Sequence, residues 1–306
     1  MKIVILGAGA GGGSPQWNSN GHACNRARAG DPAVPPRTQA SIAASADGTH
    51  WFIFNASPDL RQQINATPCL HPRHGLRDTP ISGVVLTGGD IDSITGLLTL
   101  RERQPLTIYG TGATLDILGA NSVFEVLARD IVKRQRVSLD TRTPLLAPDG
   151  TTTGLAITLF AVPGKVPLYM ESTTEVPPIT VGEATVGVGI SDAAHSAYFI
   201  PGCARMTPEL AARLHGAKLV FFDGTLWRDD EMITSGAGTK TGSRMGHMSL
   251  SGPSGTIAAF APLDVKRRIF VHINNSNPVL MADAPERAQT QAAGWEVGYD
   301  GMEVTL

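Results

Sequence analysis

The sequence predicts a mixed α/β fold, and three observations lead there. Short apolar runs with strand character recur along the chain, at residues 2–6, 84–86, 219–222 and 268–271. Helix signals fall between them, such as Thr207 followed by Pro208 ahead of an apolar-periodic segment. The 34 glycines and 21 prolines supply the many tight turns that short strands need. With 42% hydrophobic and only 17% charged residues, 306 residues can bury one large core, read here as one domain over 1–306.

Each element follows in order. Residues 2–6 form a first strand that runs into Gly7, Gly9 and Gly12, spaced as G-x-G-x-x-G. A dinucleotide site would need a helix to follow and an acid on a second strand about 20 residues on. Ser14-Pro-Gln-Trp-Asn18 does not continue as a helix, so the glycines read as a loop that lets backbone approach a site. Residues 14–38 read as irregular. His22 and Cys24 there are two of the four ligands a closed metal site needs, or simply a surface histidine and a lone thiol. Residues 40–44 and 51–54 form strands joined by the Asp47-Gly48 turn. Asp59 reads as a helix-start charge before a helix at 60–65, and His71 and His74 as solvated.

The stretch 83–100 begins as a buried strand, breaks at Thr87-Gly-Gly89, and carries Asp90 and Asp92 on the turn before a helix. A strand at 106–110 and one or two helices over 114–132 follow, then a strand at 155–162 and a Pro- and Thr-rich rim at 165–182. Strands at 184–191 and 196–201 flank a turn with His195. A helix at 207–215, a strand at 219–222 and a glycine-rich loop at 235–246 lead to His247. A helix at 256–260, a strand at 268–271 ending at His272, a helix at 285–293 and a hairpin at 296–306 turning on Asp300-Gly301 close the chain.

The composition excludes some functions. A net charge of −2 leaves no basic footprint for nucleic acid. No apolar run approaches a membrane span, the opening residues lack a signal peptide, and three scattered cysteines suit a reducing compartment, so the expected location is the cytoplasm.

Asp90, Asp92, Asp223, His247 and His272 all lie just past a strand or at the mouth of a helix, where loops of one scaffold converge. Two imidazoles with carboxylates suit iron, manganese or zinc, and two histidines plus a carboxylate with open positions is the set used by non-haem iron oxygenases. Each residue has a plainer reading: Asp90 or Asp92 as a helix cap, Asp223-Gly224 as a turn, His247 as a capping imidazole. Asn274, Asn275 and Asn277 offer amide groups to a substrate or support for His272. Lys240 and Arg244 add charge for an acidic substrate, or are simply solvated.

The segments Gly11-Gly-Gly-Ser-Pro-Gln-Trp-Asn18, Asn55-Ala-Ser-Pro-Asp59, Asp223-Gly-Thr-Leu-Trp227, Met245-Gly-His247 and His272-Ile-Asn-Asn-Ser-Asn-Pro278 together resemble the coenzyme PQQ synthesis protein B family. The resemblance spans the whole chain. It implies a metallo-β-lactamase fold, a four-layer αββα sandwich with a metal site at one edge. It also implies a part in making pyrroloquinoline quinone (PQQ). That part is either an iron(II)- and dioxygen-dependent hydroxylase of the tyrosine ring in a small Glu–Tyr-derived peptide or amino-acid precursor, or a non-catalytic carrier or release factor helping PQQ or its precursor toward the periplasm. Other PQQ biosynthesis proteins are the expected partners, no membrane association is expected, and a homodimer is left open. Asp90, Asp92, His247 and His272 would hold the metal, with Asp223 joining the catalytic set. Trp17, Asn18, Arg244, Asn274, Asn275 and Asn277 would meet the substrate.

The departures from the fold's hydrolases are specific. Their H-x-H-x-D-H motif is represented by Gly88, Asp90, Asp92 and Ser93. A further ligand histidine is replaced by Pro163-Gly164, and a bridging aspartate by Pro201-Gly202. A two-zinc hydrolytic centre, and a residual hydrolase activity built on it, would lack ligands. Ser19 and Gly21 stand where relatives carry cysteines of a zinc loop.

Overall fold

The computed structural model describes residues 1–172 and 178–306. Two seven-stranded sheets pack face to face. The first contains β1 (Lys2–Gly7), β2 (Ser41–Ser45), β3 (Trp51–Phe54), β4 (Ile81–Val85), β5 (Leu106–Gly110) and β6 (Val132–Arg136). The second contains β7 (Thr143–Leu146), β8 (Thr152–Gly164), β9 (Thr180–Ser191), β10 (Ser196–Ile200), β11 (Leu219–Asp223), β12 (Arg267–Val271) and β13 (Glu296–Val297). The last strand, β14 (Glu303–Thr305), returns to the first sheet and pairs antiparallel with β1.

Alternation along the strands builds the layers. In β11, Leu219 and Phe221 join the core between the sheets, while Val220 and Phe222 join an outer core with Leu210, Leu214, Phe260 and Trp295. In the first sheet Phe52, Phe54 and Val85 face inward, whereas Trp51, Ile53 and Val84 face outward against Leu60, Ile94, Leu97 and Leu118. Successive side chains on a strand point to opposite faces, so a strand covered on both sides is apolar throughout. The result is the expected helix–sheet–sheet–helix sandwich.

Strand direction positions the site. β3 to β6 run parallel, as do β10 to β13. Their carboxyl ends therefore open onto one edge, where loops are free to carry polar groups. The glycines after β1 serve backbone packing: a Cβ on Gly7 would sit 2.2 Å from the Gln39 carbonyl oxygen. Gly9 bridges both Gln39 and Ile273, and β1 pairs antiparallel with both neighbours, so no dinucleotide-binding βαβ unit forms.

Several sequence readings need correction. Residues 22–28 form a helix, His22–Arg28, inside what the composition suggests is irregular chain; it buries Ala23, Cys24 and Ala27. β6 escapes the apolar-run criterion because Lys133, Arg134, Gln135 and Arg136 leave little hydrophobic pattern, and β7 because Thr143-Pro-Leu-Leu146 is short and carries a proline. The chain end is not a hairpin, because β13 and β14 lie in different sheets. The Asp300 carboxylate explains the crossing: it is tied to the amides of Ala8 and Thr38 and to the Thr38 hydroxyl, anchoring the turn to the first sheet. Asp59 does not cap its helix through its side chain; Oδ2 accepts from the backbone and side-chain nitrogens of Gln39. The loop at 235–246 contains the short helix Gly242–Met245. Of the rim at 165–182, residues 173–177 lie outside the described residues, while Leu168–Met170 forms a 3-10 turn and Thr180 begins β9.

Candidate metal centre

At the edge where the strands end, a cavity of about 500 Å³ is lined by Asp90, Asp92, His247 and His272, with Asn55, Lys165 and Asn274 among its other walls. β4 delivers the two aspartates, β12 delivers His272, and the turn after helix Gly242–Met245 delivers His247. Gly246, at φ +93°, makes that turn. His272 adopts φ +56°, a conformation uncommon for a non-glycine residue and one the surrounding contacts must hold.

The hydrogen bonds behind the imidazoles decide their tautomers. Asp223 is fully buried, and a carboxylate can only accept. Its Oδ2 lies 2.7 Å from His247 Nδ1 and 3.0 Å from the Cys203 amide, so His247 carries its proton on Nδ1. Its Oδ1 accepts from the Thr225 hydroxyl at 2.6 Å and the Thr225 amide at 3.1 Å. The Thr225 hydroxyl has thus committed its one proton, and its oxygen, 2.8 Å from His272 Nδ1, accepts from that ring as well. Both rings stack at 5.1 Å between centroids and 21° between planes. Each therefore turns Nε2 away from the Asp223–Thr225 pair, and His272 Nε2 lies 3.2 Å from Asp92 Oδ2.

Charge in the site is tightly coupled. Burial works against an ionised Asp92, but the hydrogen bond and charge of His272 outweigh it and hold the carboxyl below its usual range. Burial likewise disfavours a charged His272, yet Asp92, then Asp223 and Asp90, raise its pKa above the ordinary histidine value. Asp90 is pushed up by burial and then by the neighbouring Asp92 carboxylate. A proton between Asp92 and His272 thus holds together groups that a cation would also hold.

The capping alternatives do not apply. Asp90 occupies the cap position of helix Ile91–Ile94 but makes no side-chain cap bond; its Oδ1 accepts from the Leu168 amide instead. Among the described residues, Asp223, His247 and His272 form the one group of three potential ligands within 4.8 Å of one another. Proximity alone would make Asp223 a ligand, but four hydrogen bonds already use its acceptor capacity. It orients the imidazoles from behind.

The expected substrate contacts divide. Asn274 lines the cavity, whereas Asn277 is fully buried, donates to the Gly224 and Thr225 carbonyls and accepts from the Val279 amide. Asn275 donates to Gln16 and accepts from Cys24, which binds the glycine loop to the site. Trp17 is 86% exposed, and neither it nor Asn18 lines the cavity; Gln16 does. Arg244 does not itself line the cavity; it precedes Met245 and Gly246, which do, and pairs with Glu171. His22 and Cys24 gather no further ligands among the described residues.

Sequence reasoning passed over Thr225 and Asn55. Thr225 stands two residues after Asp223, a spacing that lets a turn hydroxyl meet the carboxylate. Asn55, at φ +63°, donates to the Thr87 hydroxyl and accepts from the Thr87 amide, bracing the aspartate loop from β3. Gly88, Ser93, Gly164 and Gly202, the positions read from the sequence as replacing hydrolase ligands, all line the cavity; at Gly164 the Thr185 side chain fills the direction a side chain would take.

The β-lactamase superfamily domain profile matches residues 50–273. The chain is 63% identical to coenzyme PQQ synthesis protein B of Gluconacetobacter diazotrophicus, covering 100% of this chain and 99% of the relative. It is 53% identical to the protein of that name from Xanthomonas oryzae pv. oryzae, over the full length of both. The zinc-bound PqqB structure from Methylobacterium extorquens superposes with a TM-score of 0.96 at 51% identity, covering 100% of both chains. A diphosphatase of the PhnP family shares the fold alone, with a TM-score of 0.70 and 18% identity over 99% of this chain and 96% of the other. Together with the two-sheet architecture, these matches place the chain in the coenzyme PQQ synthesis protein B family of the β-lactamase superfamily.

Proposed function

We propose that this protein acts in PQQ biosynthesis as a metal-dependent hydroxylase of the tyrosine ring in a small Glu–Tyr-derived precursor. The observation that carries the reading is the pair of imidazoles whose Nδ1 atoms are engaged by Asp223 and Thr225, which leaves both Nε2 atoms free of those partners and sets His272 Nε2 3.2 Å from Asp92, in a cavity that all of Asp90, Asp92, His247 and His272 line. This donor chemistry fits a borderline divalent ion, with Asp92, His247 and His272 holding it and Asp90 at hand. Iron is the preferred choice, since two imidazoles and a carboxylate with open positions suit it; manganese and zinc are accepted by the same donors. When bound, iron(II) supplies the redox chemistry by which dioxygen reacts with an aromatic ring.

The chain's own residues supply the rest. Asp223 and Thr225 engage Nδ1 of both imidazoles and fix their orientation. Asn55 and Thr87 hold the aspartate loop, and the Leu168 amide holds Asp90. The cavity of about 500 Å³, with Gly202 on its wall beside His247, gives room for an aromatic ring next to the metal-site residues. The net step consumes one dioxygen together with two electrons and two protons from an added reductant and solvent, turning an aromatic C–H into C–OH and releasing one water. Three free cysteines suit work in the reducing cytoplasm, and no helix among the described residues is long and apolar enough to cross a membrane.

The test is anaerobic loading with iron, manganese or zinc, followed by Glu–Tyr dipeptide, reductant and ¹⁸O-labelled dioxygen. Iron-dependent gain of one labelled oxygen on the ring is expected. Tight, metal-independent binding of PQQ with no oxygen gain under any loading would replace the hydroxylase with the carrier.

A further inference from the structure

Lys165, Lys240 and Arg244 converge on a single carboxylate beside the cavity. Glu171 Oε1 lies 2.7 Å from Lys165 Nζ, and Oε2 lies 3.2 Å from Lys240 Nζ and 3.5 Å from Arg244 Nη2. Among the described residues, these three cations share the one carboxylate of Glu171, with Asp90 the next acid within electrostatic reach of Lys165. The acid is the most deeply placed of the four: its side chain is 7% exposed, against 14% for Lys165, 25% for Arg244 and 38% for Lys240. Lys165 and Lys240 both line the cavity that holds the metal-site residues, and Arg244 stands directly before Met245 and Gly246, which line it too. Arg244 Nη1 is buried without a hydrogen-bond partner among the described residues. A buried guanidinium nitrogen without an acceptor is costly.

Ordinary surface pairing does not account for this arrangement. Surface ion pairs are one-to-one, exposed and weakly stabilising. Here three cations come from separate segments, β8's end, the loop before Thr241 and the helix Gly242–Met245, and an in-chain carboxylate is held among them. A guanidinium and two ammonium groups are suited to a carboxylate with two oxygens.

We propose that Lys165, Lys240 and Arg244 form a carboxylate-binding subsite at the rim of the cavity, occupied by Glu171 when no substrate is present and given over to a substrate carboxylate on binding. The inference rests on the proposed hydroxylase reading only for its substrate's aromatic ring; it assigns the acidic group of that substrate to a defined place. Glu171 is then an internal competitor that sets affinity, and the three cations set selectivity for an acid over its amide.

Equilibrium binding by calorimetry tests this, using zinc-loaded protein so that no turnover occurs. The probes are the dipeptides Glu–Tyr and Gln–Tyr, which differ by one carboxylate. The wild-type protein is expected to prefer Glu–Tyr, Glu171→Gln to bind Glu–Tyr more tightly by on the order of tenfold, and Lys165→Gln or Arg244→Gln to lose the preference while retaining Gln–Tyr binding. Lys240→Gln, at the most exposed of the three, carries the same test should a more buried variant not fold. A preference that survives in the lysine and arginine variants, or a Glu171→Gln protein with unchanged or weakened Glu–Tyr binding, overturns the proposal. Because binding is read without oxygen chemistry, failure of the hydroxylation assay with these shifts intact would sink the enzyme reading and leave the subsite standing.

Discussion

Replacing Asp223 by Asn exposes the logic of the metal centre. The carboxylate accepts four hydrogen bonds, from Cys203 N, His247 Nδ1, Thr225 N and Thr225 Oγ1, at 3.0, 2.7, 3.1 and 2.6 Å. An amide of the same shape keeps only one oxygen. With its NH₂ toward Oδ2's partners, it opposes the Cys203 amide and forces the His247 proton onto Nε2, removing the lone pair that faces the cavity. With its NH₂ toward Thr225, it opposes the Thr225 amide and turns the hydroxyl around, so that His272 loses its acceptor. Either way one imidazole is in the wrong state and one buried amide is orphaned. Partners that orient metal-ligating imidazoles are typically worth about 10- to 100-fold in metal affinity, equivalent to about 1.4–2.8 kcal/mol. The orphaned amide adds about 1–3 kcal/mol of lost stability. Zinc or iron titration against a chromophoric chelator reads the first quantity, and ¹⁵N correlation spectra of the imidazoles read the tautomers. Unchanged metal affinity together with Nδ1-protonated His247 and His272 in the Asp223→Asn protein would refute the assignment of Asp223 as their orienting group.

Other outcomes follow from the same geometry. In metal-free protein the raised His272 contributes stability that is complete below the ordinary histidine value of 6.5 and is lost as pH rises through its higher folded value. The depressed Asp92 contributes stability present above 3.8 and lost as pH falls through its lower folded value; thermal melts of Asp92→Asn should therefore lose the alkaline decline that wild-type shows. Metal loading should abolish that decline too, because the ion takes the proton's place. Gly164→Ala should lower stability by about 1–3 kcal/mol, since its Cβ would sit 2.4 Å from Thr185 Oγ1; a denaturant midpoint equal to wild-type would contradict the packing. Asp300→Ala leaves the amides of Ala8 and Thr38 without their acceptor and should cost about 2–3 kcal/mol, read by urea unfolding at pH 7. Acid unfolding should show Glu171 as well: Lys165 and Lys240 outweigh burial and bring its carboxyl down to about 2, so stability present above 4.5 is lost as pH falls toward 2, and Glu171→Gln should flatten that limb.

Most strands and the edge at which the site lies were legible because apolar pattern and turn residues act locally. The aspartates after β4 and the histidines after the second-sheet loops stand at strand ends or turns that composition marks plainly. β6 escaped because its exposed, charged residues are held by pairing with β5 rather than by hydrophobic pattern. The helix His22–Arg28 escaped because a Gly–Pro-rich surround hides a short segment whose buried face is only alanine and cysteine. The terminal segment misled for a different reason. Asp300-Gly301 is a genuine turn signal, but the distance to Ala8 and Thr38, which determines which sheet receives the returning strand, is not a local property.

By itself, the sequence determined the layered α/β class, the family and four side chains that line the cavity. Pattern, turn chemistry and ligand identity are written along the chain. Only the tertiary structure decided that Asp223 stands behind the imidazoles rather than beside them in the cavity, that Thr225 completes the relay, that Asn277 is structural, and that Glu171 lies within a cationic trio. Those roles depend on which lone pair or proton faces which neighbour across 20 or more residues of sequence, and direction of that kind exists only once the sheets have packed.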